Sequence, residues 1–160
     1  MSSPSPVADK TARQHWMAVL ARADHADLER AWRTLNPSPK HTWLRNPETG
    51  LIMLRGRAGG TGAQFNLGEA SVTRCTVRVS TAGGADLLGY ACVLGRDHRL
   101  ASLAALFDAL LQDPSHSPGL QQTLIRKLAA TQAGRRREKS LKAAATRVDF
   151  YTMVRGESPS

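Results

Sequence analysis

The chain has 160 residues, enough for one domain with its own core, and its 41% apolar and 22% charged residues are typical of a globular protein. The net charge is +9, and most of this excess comes from the segment 121–147. No apolar run approaches the ~20 residues of a membrane helix, and the N-terminus has no signal-peptide pattern, so we expect a cytoplasmic protein. Cys75 and Cys92 have no CxxC spacing, and we expect both to be reduced core thiols.

The first part of the chain is predicted to contain a disordered leader and two helices. Residues 1–8 are rich in serine and proline, a composition typical of disorder. Apolar residues then follow helical spacing from Ala12 to Ala23. Asp24 is a suitable N-cap for a second helix, which should end before Pro37 because proline disfavours helix at the preceding residue.

The middle of the chain is predicted to contain about four strands with short connections. The segment 46–50, with the sequence NPETG, has the proline, asparagine and glycine of a hairpin turn and predicts a short strand on either side. Residues 64–79 are rich in β-branched side chains, and Gly68 within them predicts a bulge. Residues 87–94 are almost entirely apolar, which predicts a central strand buried on both faces.

The last part of the chain is predicted to contain two helices. Asp97 is a suitable cap for a strongly amphipathic helix that should stop at Asp113 and Pro114. A final helical region is expected from about Leu120 to Arg147, with a break at Gly134.

This order of elements predicts an α+β fold. We expect an antiparallel meander of about four strands, with two N-terminal and two C-terminal helices on one face, because the strand connections are too short for parallel crossovers. The single domain should cover residues 9–156, followed by a disordered tail at 157–160.

The final helical region concentrates positive charge. A basic stripe of this kind suits a polyanion or an acidic partner surface, although an ordinary solvated helix face explains it equally well. Nucleic-acid binding through the 121–147 helix, or a scaffold role for it, is the alternative function; it is disfavoured because no aromatic residue interleaves with the stripe. The cations are Arg126, Lys127, Arg135, Arg136, Arg137, Lys139, Lys142 and Arg147, opposed only by Glu138.

The glycine-rich loop 59–62 is the main candidate for ligand contact. Glycines allow backbone N–H groups to converge on an anion, but the loop has neither P-loop nor GxGxxG spacing, so a tight strand connection remains the simpler interpretation. Arginines on neighbouring predicted strands could add guanidinium groups for a triphosphate or for an acidic partner. The candidate contact residues are Arg55, Arg57, Gly59, Gly60, Thr61, Gly62, Arg74, Arg78 and Arg96.

No pattern in the sequence completes an active site. The five histidines lack metal-ligand spacing, and neither HExxH nor GxSxG occurs. The carboxylates are scattered and form no evident acid/base pair. We therefore expect no catalytic residue, no metal site and no cofactor bound by this chain alone.

Several short segments in a fixed order carry a resemblance, and the last is the most specific. They are RQHWM at 13–17, ETGL at 48–51, GGTG at 59–62, TR at 73–74, GY at 89–90, VLGRD at 93–97, DAL at 108–110 and RVDFYTMVRG at 147–156. Over about residues 10–156 this set resembles the PhnG family, a subunit of the bacterial carbon–phosphorus lyase system for phosphonate use. The arginine run 135–137 departs from the family pattern.

The resemblance implies a complex that converts ATP and methylphosphonate to α-D-ribose 1-methylphosphonate 5-triphosphate plus adenine, in organic phosphonate catabolism. The chain would be a non-catalytic or accessory subunit of that transferase, without activity in isolation. The implied partners are a PhnI-like nucleosidase subunit together with PhnH, PhnJ and PhnL, whereas no membrane is expected. An isolated chain could self-associate through surfaces meant for these partners.

Overall fold

The computed structural model describes residues 6–35, 38–57, 62–81 and 83–145, with side chains from Ala12 onward. In chain order they form α1 (Pro6–Leu20), α2 (His25–Arg33), β1 (His41–Arg57), β2 (Gln64–Ser80), β3 (Asp86–Leu94), α3 (His98–Leu111), α4 (Ser117–Leu120), a π-helical turn (Gln121–Ile125) and α5 (Arg126–Ala145). The α+β class is therefore confirmed. Helix α1 begins at Pro6, inside the segment for which a disordered leader was predicted. Within these ranges no helix has the length and apolarity to span a membrane.

The described residues form one antiparallel meander in the order β1-β2-β3, three strands where about four were predicted. The predicted hairpin at 46–50 is wrong, because β1 runs straight through it as one strand. Two register shifts between Trp43 and Glu48 absorb the irregular residues as a bulge. Pro47 is tolerated there because β1 is an edge strand, where a missing N–H need not break a ladder bond.

The bulge predicted at Gly68 is confirmed. The pairing shifts between Leu54 and Arg55, which lie opposite Gly68 and Asn66, so Leu67 is the extra residue of β2. Gly68 has a φ of +148°, a backbone conformation that residues with a Cβ rarely adopt.

Strand β3 is an edge strand buried on one face, so its predicted central position is wrong. Gly89, Ala91 and Val93 face the core, whereas the alternate side chains, including Tyr90 and Cys92, are exposed. The prediction was wrong because a strand with one buried face and one exposed apolar face has the same continuous apolar sequence as a strand that is buried on both faces. Cys92 is accordingly not a core thiol, although Cys75 is.

The helices cover one face of the sheet, and we call the opposite face the outer face. Asp97 caps α3 by accepting a hydrogen bond from the Leu100 N–H at 2.8 Å, and Asp24 caps α2 in the same way through Ala26 at 3.0 Å, as predicted. Helix α3 lies directly on β3 because residue 89 is glycine. A Cβ there would stand 1.9 Å from the Ala105 carbonyl oxygen.

The C-terminal helical stretch runs without interruption from α4 through the π-helical turn to α5, and the break predicted at Gly134 does not occur. A single exposed glycine costs a helix only about 1 kcal/mol relative to alanine, which the surrounding alanine, lysine and arginine residues offset. Leu124, Ile125 and Leu128 anchor the stretch in the core. Every side chain from 133 to 145 is exposed, so the end of α5 projects into solvent.

Candidate functional site

Strands β1 and β2 continue past the end of β3 as a two-stranded arm. The last β3 pair joins Leu94 to Val72, whereas β1 and β2 remain paired as far as Arg57 and Gln64. We call residues 51–57 together with 64–71 the β-ribbon. With a rise of ~3.3 Å per residue it is on the order of 20 Å long. Its side chains are exposed or half-buried on both faces, so no described helix covers it.

One face of the β-ribbon is apolar. Ile52, Leu54 and Gly56 are alternate residues of β1 and therefore lie on one face. Phe65 lies on the same face, because it pairs with Gly56 and cross-strand partners share a face. Leu67 joins them, since its Cδ1 would lie 2.5 Å from a Cβ built on Gly56. The exposed fractions are Ile52 39%, Leu54 41%, Phe65 47% and Leu67 60%.

This apolar face is continuous with the outer face of the sheet. The Gly50–Val72–Leu94 row lies next to Ile52 on the same side, and Leu94 is 71% exposed. An apolar surface of this extent on a small domain is typical of a protein–protein contact.

The other face of the β-ribbon carries two of the candidate ligand-contact residues, Arg55 and Arg57. They are two positions apart on β1 and therefore share a face, as predicted. The Arg57 Nη1 donates a hydrogen bond to the Gly62 carbonyl at 3.2 Å, which is the one contact described for the glycine loop. Gly59, Gly60 and Thr61 lie outside the described residues, so contact between the loop and phosphate stays a prediction.

Arg74 and Arg78 share the outer face of β2, as predicted, but both face carboxylates. Arg74 Nε lies 3.4 Å from Glu48 Oε1, and Arg78 Nε lies 3.8 Å from Asp86 Oδ2. Arg57 pairs with Gln64, ten positions from Arg74, which places Arg57 ~30 Å away along the strands.

The candidate arginines therefore do not form one cluster. Arg96 is exposed in the turn between β3 and α3, at the end of the sheet nearer the β-ribbon. The pair on the β-ribbon, the pair on the outer face and Arg96 are three separate positive regions.

A polar cluster that the sequence did not reveal joins β1, β2 and the start of α3. The Thr49 Oγ1 lies 2.9 Å from His98 Nε2 and 3.1 Å from Thr73 Oγ1. The buried Thr73 hydroxyl donates to the Gly95 carbonyl at 2.9 Å. The cluster fixes the turn that leads into α3, and threonine within an apolar strand was its only signal in the sequence.

His25 and Asp97 form a second polar contact at this end, with 2.9 Å between Nδ1 and Oδ2. The hydrogen bond and the negative charge of Asp97 raise the pKa of His25 above its usual value. Burial alone would raise the pKa of Asp97, but the hydrogen bonds from the Leu100 amide and His25 outweigh it and lower that pKa.

The one fully buried carboxylate among the described residues, Asp108, has a structural role. It accepts hydrogen bonds from the Arg13 guanidinium at 2.7 Å, the Trp16 indole at 2.9 Å and the Tyr90 amide at 3.0 Å. Three of the segments that carry the family resemblance thus meet at one buried side chain.

Three features of the described residues bear on whether this chain could carry chemistry: metal-ligand clusters, buried polar atoms and the buried thiol. No three His, Cys, Asp or Glu side chains in these ranges are placed to hold a metal ion. Among the same residues no buried side-chain nitrogen or oxygen lacks a hydrogen-bond partner. The Cys75 thiol donates to the Ala101 carbonyl, and burial raises its pKa to about 11, which makes it a poor nucleophile.

Comparison with known proteins agrees with the resemblance. The chain matches the family model described as "Phosphonate metabolism protein PhnG" over residues 11–156. A curated relative from Rhizobium meliloti (strain 1021), "Alpha-D-ribose 1-methylphosphonate 5-triphosphate synthase subunit PhnG", is 46% identical over 145 residues, which cover 91% of this chain and 90% of the relative. The chain belongs to the PhnG family of phosphonate metabolism proteins.

Proposed function

We propose that this chain is an accessory, non-catalytic subunit of a cytoplasmic complex that converts ATP and methylphosphonate to α-D-ribose 1-methylphosphonate 5-triphosphate plus adenine. The complex is then a transferase of organic phosphonate catabolism, and ATP and methylphosphonate are its substrates. Family membership and the name of the relative support this role. The structural observation that carries it is the apolar face of the β-ribbon, which no described helix covers.

The β-ribbon presents enough apolar surface to contribute substantially to assembly. Fully burying a large apolar side chain is worth ~1.5–3 kcal/mol, so completing the burial of the four on the β-ribbon and of Leu94 beside it is worth ~5 kcal/mol. A micromolar complex requires ~8 kcal/mol after the entropy cost of association is met, so this face needs further contacts beside it. A protein partner can supply those contacts along both faces of the β-ribbon.

The proposed occupant of the β-ribbon is the nucleosidase-type subunit, PhnI-like in family terms. Arg55 and Arg57 lie on the opposite face from Ile52, Leu54 and Leu67. A matching partner therefore has an apolar surface for one face, and carboxylates for the two arginines where they lie on the other face, which also exposes Leu51 and Met53. Further core subunits, PhnH-, PhnJ- and PhnL-like, complete the proposed complex.

Co-expression with these subunits tests the proposal. The unaltered chain should co-purify with the nucleosidase-type subunit, and the complex should release adenine from ATP when methylphosphonate is present. The double variant Leu54→Lys, Leu67→Lys should lose co-purification because it places two charges in the buried interface. Leu141→Lys, on the projecting end of α5 and about as exposed as Leu67 (63% against 60%), controls for a lysine at an exposed leucine and should assemble normally.

The candidate arginines can be tested in the same complex. Arg57→Ala and Arg74→Ala should lower adenine release or assembly if these side chains contact the triphosphate or an acidic partner surface. Unchanged assembly and turnover in both variants would remove them from the site. Turnover by the purified single chain would contradict the accessory role proposed for this chain. Full assembly of the lysine double variant would contradict the β-ribbon as the surface that carries the assembly.

A further inference from the structure

A small basic groove lies where α5 passes the C-terminal end of α1. Its volume is about 330 Å³, and it is lined by Arg22, Gln132, Arg135, Arg136 and Lys139. Four of these five residues are cationic, and no carboxylate from the described part of the chain lines the groove. It lies on the helical side of the fold, and the β-ribbon contributes none of its lining residues.

Two side chains hold the walls of the groove in place. The Gln132 Nε2 donates to the Val19 carbonyl at 2.9 Å, which fastens α5 to α1. The Arg22 Nε donates to the Ala18 carbonyl at 2.9 Å, which satisfies a carbonyl in the last turn of α1, and no contact with another described residue is seen for its Nη groups. This bond holds the cation that follows α1 beside the cations from α5.

The α5 side of the groove follows from helical spacing. Residues 132, 135, 136 and 139 recur at intervals of three and four, and therefore share one face of the helix. Arg137 lies on another face. Glu138, the only carboxylate of α5, forms an ion pair with Lys142 at 2.8 Å, and it does not line the groove.

We propose that this groove binds an oligophosphate group. Guanidinium groups recognise phosphate oxygens through paired hydrogen bonds, and three linked phosphates carry a charge of about −4 at pH 7, which matches four cations. A nucleic acid is disfavoured because no aromatic side chain of the described residues lines the groove for base stacking. The inference stands on the groove alone, and failure of the proposed assembly would leave it unchanged.

Calorimetric titration of the full chain with inorganic tripolyphosphate at low salt tests the inference. We expect saturable binding that weakens as salt increases, and binding of orthophosphate at least ten-fold weaker. Arg136→Ser should weaken tripolyphosphate binding at least ten-fold. Arg137→Ser is the matched control, since it removes the same charge from an adjacent position outside the groove, and it should change the affinity less than two-fold.

Titration with ATP separates two sources of the phosphate chain. If ATP binds with an affinity similar to that of tripolyphosphate, the groove recognises the phosphates alone. If ATP binds more tightly, the groove recognises a nucleotide. The inference is overturned if tripolyphosphate does not bind, or if Arg137→Ser weakens binding as much as Arg136→Ser. Tighter binding of a single-stranded oligonucleotide or a glutamate-rich peptide than of tripolyphosphate would overturn it as well. Circular dichroism of each variant verifies that these exposed substitutions leave the fold intact.

Discussion

The Asp108 Oδ1 accepts a hydrogen bond from the Trp16 indole Nε1 at 2.9 Å, in the buried contact between α3 and α1. The other carboxylate oxygen accepts from the Tyr90 amide of β3 and from Arg13. One side chain therefore ties together two helices and a strand. Its charge is buried, and it is compensated by donors from both neighbouring elements.

Asp108→Asn should destabilise the fold by about 2–4 kcal/mol. The amide loses the charge that pairs with Arg13, and its NH₂ group faces donors instead of accepting from them. Urea unfolding followed by circular dichroism measures the change. Asp86→Asn is the control, because the Asp86 contact with Arg78 is exposed and its loss should cost less than about 0.5 kcal/mol. Equal effects of the two substitutions would refute a structural role for Asp108.

Gly89→Ala should destabilise the fold by about 2 kcal/mol or more. The added methyl would overlap the Ala105 carbonyl oxygen, so α3 would have to move away from β3. Gly134→Ala makes the same chemical change on the exposed part of α5, where no described atom outside the adjacent residues and the surrounding helix backbone lies within 4 Å of the new Cβ. That control should stabilise the protein by roughly 0.5–1 kcal/mol through helix propensity. The two melting temperatures should therefore shift in opposite directions.

Sequence patterns correctly predicted those features of the fold that are determined by neighbouring residues. The Asp24 and Asp97 caps, the Gly68 bulge and the extent of helix α3 each depend on residues close together in the chain. The amphipathic character predicted for α3 is wrong, because eleven of its fourteen residues are buried, on all sides of the helix. Other wrong predictions concern strands, because the position of a strand depends on the elements that pair with it or cover it. The NPETG segment resembles a turn, and it lies within a strand only because β2 pairs with it on both sides of the bulge.

The candidate site was harder to predict for the same reason. Strand alternation correctly placed Arg55 with Arg57 and Arg74 with Arg78, but the distance between the two pairs depends on the length of the β-ribbon. Thr49 and His98, and Arg22 and Arg136, are brought together by long-range packing that no local spacing encodes. Proximity of this kind becomes visible only once the register of the sheet and the crossing of α1 and α5 are known.

The contact between His25 and Asp97 should make stability depend on pH. Because the pKa of His25 is raised in the folded state, its stabilising effect is fully present below the unfolded pKa of about 6.5 and is lost as pH rises through the folded value. His25→Gln should therefore lower the melting temperature most near pH 5.5–6 and have little effect above pH 8. Thermal melts of both proteins from pH 5 to 9 measure this difference.

His15 provides the control for the histidine prediction, since it is exposed and no ion pair is described for it. His15→Gln should leave the melting temperature unchanged across the same range. A deficit in the His25 variant that persists at pH 9 would show that the charge of the imidazolium is not responsible. Such a result would contradict the pKa argument.

The β-ribbon should make the isolated chain self-associate, because the partner proposed to cover its apolar face is then missing. Sedimentation velocity over a range of protein concentrations should show a rising average mass for the unaltered chain. Leu54→Lys with Leu67→Lys should shift this association to at least ten-fold higher concentration, since each lysine puts an unpaired charge on the face being buried. Leu141→Lys adds one charge, against two in the double variant, to a leucine about as exposed as Leu67 (63% against 60%) and outside the β-ribbon, and it should leave the association unchanged. Identical behaviour of the two lysine variants would show that net charge, not the β-ribbon, controls self-association.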